Sequence, residues 1–98
     1  MYLKIHESYR KVVALADADL IGKTFEEGKK QLEIRESFYK GELMEEKTVI
    51  EKLISLSLDD ATFNIVGEKS INAALKAKII TKDTIGKVQN IPFALVLA

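Results

Sequence analysis

The 98-residue chain contains no cysteine, which removes disulfide frameworks, thiolate nucleophiles and cysteine-ligated zinc together. Its single histidine, His6, leaves almost nothing from which to build a transition-metal site, and no cofactor is expected. Pro92 is the only proline and the five glycines are scattered, so no linker divides the chain. Nor is there an internal repeat. Fifteen basic residues balance fifteen acidic ones, so no overall field draws the chain to nucleic acid or anionic lipid. The longest nearly uninterrupted apolar stretch, 91–98, falls far short of the roughly 20 residues of a membrane span. The alternating start, Met1-Tyr2-Leu3-Lys4-Ile5-His6-Glu7, lacks the apolar core of a signal peptide. A soluble, cytoplasmic protein with no membrane partner is expected. What remains is ordinary globular composition, 47% hydrophobic and 31% charged, which excludes a disordered or low-complexity chain. The length suits one domain spanning 1–98.

Residues 2–7 alternate Tyr2, Lys4 and His6 against Leu3, Ile5 and Glu7, the period of a half-buried strand with His6 on its exposed side. Ser8-Tyr9-Arg10-Lys11 reads as a turn. The β-branched apolar run that starts at Val12 reads as a more central strand, so 2–16 is a hairpin. Asp17 can cap one helical turn that Gly22 ends, and 32–36 alternates again as a strand. From Leu43 the period changes. Leu43, Ile50, Leu53, Ile54 and Leu58 recur at helical spacing, which predicts a helix over 44–57 with Leu53 and Ile54 buried. A strand from Ala61 runs into Val66-Gly67-Glu68, a second helix covers 68–78, and two short strands follow over 85–88 and 93–97. The order β, β, β, α, β, α, β, β predicts an α+β fold, with two main helices on one face of a largely antiparallel or mixed sheet.

Four blocks carry a resemblance: Asp17; Leu20-Ile21-Gly22-Lys23-Thr24-Phe25; Glu36-Ser37-Phe38-Tyr39-Lys40-Gly41-Glu42; and Asn64-Ile65-Val66-Gly67-Glu68. In this order, across essentially the whole chain, they resemble the archaeal family catalogued as domain of unknown function 424. The family pattern often has a Cys at the position of Ala16 and a Gly-Val-Pro-His segment where this chain has Asn90-Ile91-Pro92-Phe93. An activity that relied on that thiol or that histidine is therefore not implied here. Genes of the family tend to lie beside translation genes, so the resemblance implies an information-processing context.

The Gly22-Lys23-Thr24 triplet is superficially like the end of a phosphate-binding loop, but the motif needs a Gly where this chain has Asp17. Lys23 is then a solvated side chain beside a structural turn. Phe38 and Tyr39 are adjacent in a segment flanked by turn residues. On an extended backbone they point oppositely, which leaves one ring presented. Tyr39 beside Lys40 is the candidate to stack on a base or dock a partner, against the alternative that one ring fills the core and the other covers the start of the helix. Gly67 opens a helix whose free N–H groups favour an anion, with Lys69 beside it, but a tight turn is the more common reason for such a glycine, and Glu68 already supplies a negative charge there. His6 stands alone, and the carboxylate pairs Glu26-Glu27, Glu45-Glu46 and Asp59-Asp60 are sequence neighbours suited to solvated turns. No catalytic constellation emerges, and an enzyme is the less favoured class.

Charge distribution says more than its sum. Residues 26–60 hold ten acidic and six basic side chains, net −4, whereas 69–87 hold five lysines and one aspartate, net +4. If the fold keeps these apart, Lys69, Lys76, Lys78, Lys82 and Lys87 are placed to touch RNA phosphate or an acidic protein. The leading expectation is a small non-catalytic binding or adaptor protein whose partner is the ribosome, RNA or a translation factor. The rival is a small-ligand protein or enzyme whose pocket is formed where the turns at 17–24, 36–42 and 64–68 converge, with Lys23, Glu36, Tyr39 and Asn64 at its walls.

Overall fold

The computed structural model describes residues 1–97; Ala98, the last residue of the apolar stretch, lies outside the described residues. The strands are β1 (Tyr2–His6), β2 (Val12–Ala16), β3 (Thr24–Glu27), β4 (Lys30–Glu33), β5 (Glu42–Leu43), β6 (Thr62–Val66), β7 (Gly86–Val88) and β8 (Ile91–Val96). The helices are α1 (Glu36–Tyr39), α2 (Glu46–Leu58) and α3 (Glu68–Lys76), with 3-10 turns at Ala18–Leu20 and Lys82–Thr84. Six strands form one mixed sheet in the order β5-β1-β2-β6-β8-β7, and β3 and β4 form a separate hairpin. The fold is α+β.

The central pair, β2 and β6, is parallel and in register from Val12 with Thr62 to Ala16 with Val66, while every other neighbour is antiparallel. A parallel pair needs a crossover. Here the 45 residues between the two strands supply it, carrying β3, β4, α1, β5 and α2. Being central, β2 is buried on both sides, which is why its sequence is a continuous apolar run rather than an alternation.

The two sheet faces build two apolar clusters. Leu3, Val13, Leu15, Phe63, Ile65 and Ala94 join Val49, Leu53 and Leu56 of α2 and Ile71, Ala73 and Ala74 of α3. Ala14, Ala16 and Val66 on the opposite face join Leu20, Ile34 and Tyr39, with Phe25, Leu32, Phe38, Ile91 and Phe93 against them. The β3–β4 hairpin and α1 thus act as a second layer over half the sheet.

Several expectations are corrected. The strand expected over 32–36 ends at Glu33: Ile34 still donates its N–H to Lys23 O and accepts from the Gly22 N–H, and Arg35 then takes the N-cap position of α1, which takes over Glu36. Residues 36–39 are a helical turn, not an extended segment. The hairpin strand β3 has no counterpart among the expected strands. Within α2, Ile54 is 45% exposed and Leu58 81% exposed, since the buried stripe runs through Val49, Leu53 and Leu56. Leu43 is exposed on the edge strand β5.

Candidate functional site

Asp17 and Ser70 are the buried polar residues among the described residues; Asp17 follows the last residue of β2 and is only 7% exposed. Its backbone N–H donates to Val66 O, continuing the parallel pairing, and so swings its side chain across to the start of α3. There Oδ1 accepts from the Ser70 N–H at 2.8 Å and the Ser70 hydroxyl at 2.7 Å, and Oδ2 accepts from the Lys69 N–H at 3.1 Å. A helix start leaves free N–H donors that a nearby side chain usually satisfies. The residue in the capping position of α3 is Gly67, which has no side chain to offer, so Asp17 supplies the cap from another strand. The negative charge also lies at the positive end of the helix dipole.

This arrangement dictates Gly67. Its φ of 107° and ψ of 154° lie in a region that essentially only glycine occupies, and an added Cβ would overlap the Asp17 carboxylate. Its N–H donates to Pro92 O at 2.9 Å, which draws in the β7–β8 turn. That turn has positive φ at both Gln89 and Asn90, the geometry of a two-residue hairpin with matching twist. Gln89 donates its N–H to Glu27 Oε1 at 2.7 Å, so the β3–β4 hairpin is tied to the same end of the sheet.

Asp17, Asp19, Leu20, Gly67, Asn90 and Pro92 border a cleft of about 280 Å³ beyond the carboxyl ends of β2 and β6. A second cleft of about 320 Å³ continues past Asn90 and Pro92 to Glu68, Asn72 and Lys87. Among the described residues, no group of three or more His, Asp or Glu side chains is placed to hold a metal ion.

The expected site residues do not assemble into one constellation. Lys23 is exposed, its N–H spent on Leu20 O. Asn64 sits in mid-strand on β6, in register with Ala14 and Leu95, rather than in a turn. Tyr39 is 8% exposed and belongs to the second apolar cluster, so its ring is not presented to a partner. Burial pushes its phenol above the ordinary value of 10. Phe38 is half-buried and stacks on the His6 ring at 4.6 Å, while His6 Nε2 donates to Phe38 O at 2.8 Å. His6 is therefore half-buried and covered rather than on an exposed face. The turns at 17–24 and 36–42 do converge with Val66, but through Leu20, Ile34 and Tyr39, which fill the space between them with core.

Lys69 and Lys76 lie seven residues apart on the outward stripe of α3. Lys76 reaches Glu46 of α2 at 2.8 Å, an exposed ion pair of small energetic weight. Lys69, Lys78, Lys82 and Lys87 have no carboxylate within 4.0 Å among the described residues. The Asp83 carboxyl accepts from the Thr81 hydroxyl, which holds it below the usual carboxylate range. The two charged stretches are segregated in part. Glu42 lies on β5 at one edge of the sheet, and Lys87 lies on β7 at the other. Glu26 and Glu27 approach the β7 edge on the hairpin, from the face opposite the helices. Tyr9, which no sequence motif singles out, is fully exposed at the β1–β2 turn. The signal for it is its position, because a hairpin tip is solvated whatever residue occupies it.

An α+β protein with a mixed six-stranded sheet, its central parallel pair ending at a carboxylate-capped helix, is the class these features define. The chain belongs to the family described as "Protein of unknown function (DUF424)", which matches residues 5–98. It is also similar to an uncharacterized conserved protein from Methanopyrus kandleri of known crystal structure, at 25% identity and a TM-score of 0.85, over 99% of this chain and 92% of that one. No curated protein matches the chain.

Proposed function

We propose that this chain is a small, non-catalytic binding or adaptor protein of the cytoplasm that associates with RNA in the translation apparatus. One observation supports the reading: the lysines of 69–87 lie on α3, on the segment after it and on β7, and four of the five carry no acidic partner among the described residues. The neutral chain thus presents a locally basic side, with α3 covering β6 and β8 next to the edge strand. Lysines act as point charges toward phosphate without reading sequence, so RNA association through this side is electrostatic and salt-sensitive. It needs no cofactor. Co-sedimentation with ribosomes at low salt tests the reading. Reversal of Lys69 and Lys87 to Glu should abolish association, and reversal of Glu45 and Glu46 to Lys should leave it intact or strengthen it. Association that survives the lysine reversals would refute the reading.

A second reading, a small-ligand protein, has one observation in its favour. The 280 Å³ cleft lies beyond the carboxyl ends of a parallel strand pair, where ligands of α/β sheets commonly bind. Amide shifts confined to Asp19, Asn90 and Ile91 on adding a metabolite mixture, with no ribosome association, would favour it over the first.

A further inference from the structure

Strand β8 is paired along both edges for only part of its length. With β6 it pairs from Phe93 to Val96, but β7 covers only Ile91 to Phe93. Because Pro92 O accepts from Gly67 N–H on the β6 side, alternation directs the backbone of Phe93 to β7 and that of Leu95 to the space beyond the end of β7. No backbone or side-chain hydrogen bond reaches the Leu95 N–H or C=O on that side among the described residues. The chain that would have continued the pairing leaves at Thr84, folded into the 3-10 turn by its N–H and hydroxyl bonds to Thr81 O.

The gap left behind is a groove of about 290 Å³ between Leu95 and Leu97 on one wall and Ile79, Ile80, Thr81 and Thr84 on the other. Leu95 is 57% and Leu97 73% exposed. Proteins ordinarily protect a free strand edge by charge, proline or cover, and this one is apolar and open. Lys78 lines the groove, and Lys82 lies in the adjoining 3-10 turn; neither is paired among the described residues, and with the Asp83 carboxylate, which accepts from Thr81 and stays charged, this end of the groove carries a net single positive charge.

We propose that this free half of β8 accepts an extended segment of a partner protein as an added strand, apolar where it meets Leu95 and Leu97 and acidic where it meets Lys78 and Lys82. Backbone bonds to Leu95 supply the pairing, and the lysines select the sign of charge. A second copy of this chain is the poorer occupant, because pairing two β8 edges would set Lys78 and Lys82 of both copies along one seam. The inference does not depend on RNA binding: both readings draw on Lys78 and Lys82, but the strand pairing at Leu95 is independent of it, and the RNA test reverses only Lys69 and Lys87.

The test is an NMR titration of the folded chain with a hexapeptide of alternating valine and glutamate, beside its valine–lysine counterpart. The expected result is saturable shifts at Leu95, Leu97, Thr81 and Thr84, slowed hydrogen exchange at the Leu95 amide, and at least tenfold weaker binding of the lysine peptide. Leu95→Pro removes the outward N–H without removing a bond to β6 and should weaken binding at least tenfold. Should that variant fail to fold, Lys78→Glu with Lys82→Glu should instead invert the peptide preference. Equal affinity for both peptides, no shift at millimolar peptide, or a dimer in sedimentation whose interface maps to Leu95 would overturn the proposal.

Discussion

At Asp17 and Gly67, two residues fifty positions apart are chosen for each other. The carboxylate satisfies three donors at the start of α3, and the absence of a side chain at Gly67 is what lets it reach them. Asp17→Ala should destabilise the fold by about 1 to 3 kcal/mol in urea unfolding, the cost of leaving buried donors unmet. Gly67→Ala should cost a similar about 1 to 3 kcal/mol from backbone conformation alone, with the steric overlap added. The two should couple. In the Asp17→Ala background the overlap is gone, so Gly67→Ala should cost less than it does in the native chain, and strict additivity would show that the carboxylate is not what the glycine accommodates. Tyr39 yields a titration. Its phenol is neutral when buried, and folding raises its pKa above 10. The stability this contributes is complete below pH 10 and is lost as pH rises through the raised value. Phenolate absorbance should show one late-ionising tyrosine, which Tyr39→Phe removes.

Along the elements, α2 makes the sharpest separation between neighbours. Leu53 is fully buried and Ile54 is nearly half exposed. Leu53→Ala should therefore cost about 2 to 5 kcal/mol, while Ile54→Ala should cost less than about 1 kcal/mol; equal losses would show that the helix is rotated from the position described. Both leucine and isoleucine fit an apolar stripe by spacing, and only packing against Leu3, Phe63 and Leu15 decides which of them is covered. That is why the helix itself is legible in the sequence and its buried face only in part. The hairpin 2–16 is legible through alternation, the second helix through its polar stripe. Strand β3 is not, because Thr24, Glu26 and Glu27 are exposed and leave Phe25 as a single apolar mark. The segment 36–39 reads as extended in the sequence because one helical turn is too short to show a period. At the site, Gly67 is visible as a junction glycine, but its reason is not. Asp17 acts on α3 across 53 residues, and no local pattern carries a long-range cap.

Across the whole molecule, a chain of zero net charge segregates its charged stretches only in part: Lys87 and Glu42 lie on opposite edges of the sheet, while α2 and the β3–β4 hairpin bring acidic residues toward α3 and β7. The lysines on α3 and β7 lie on the half of the sheet farthest from Glu42, and among the described residues only Lys76 is drawn into an ion pair with α2. Pairing on a protein surface is weak, so on the proposed reading the unpaired lysines are the groups that would meet a polyanion. The measurement that bears most directly on this account is the salt dependence of affinity for single-stranded RNA. For the native chain, the logarithm of affinity should fall linearly with the logarithm of salt concentration. Reversing Lys69 and Lys87 should reduce that slope by about 0.7 for each phosphate that is no longer neutralised. A native chain that binds no RNA at low salt, or a slope unchanged by the two reversals, would contradict it.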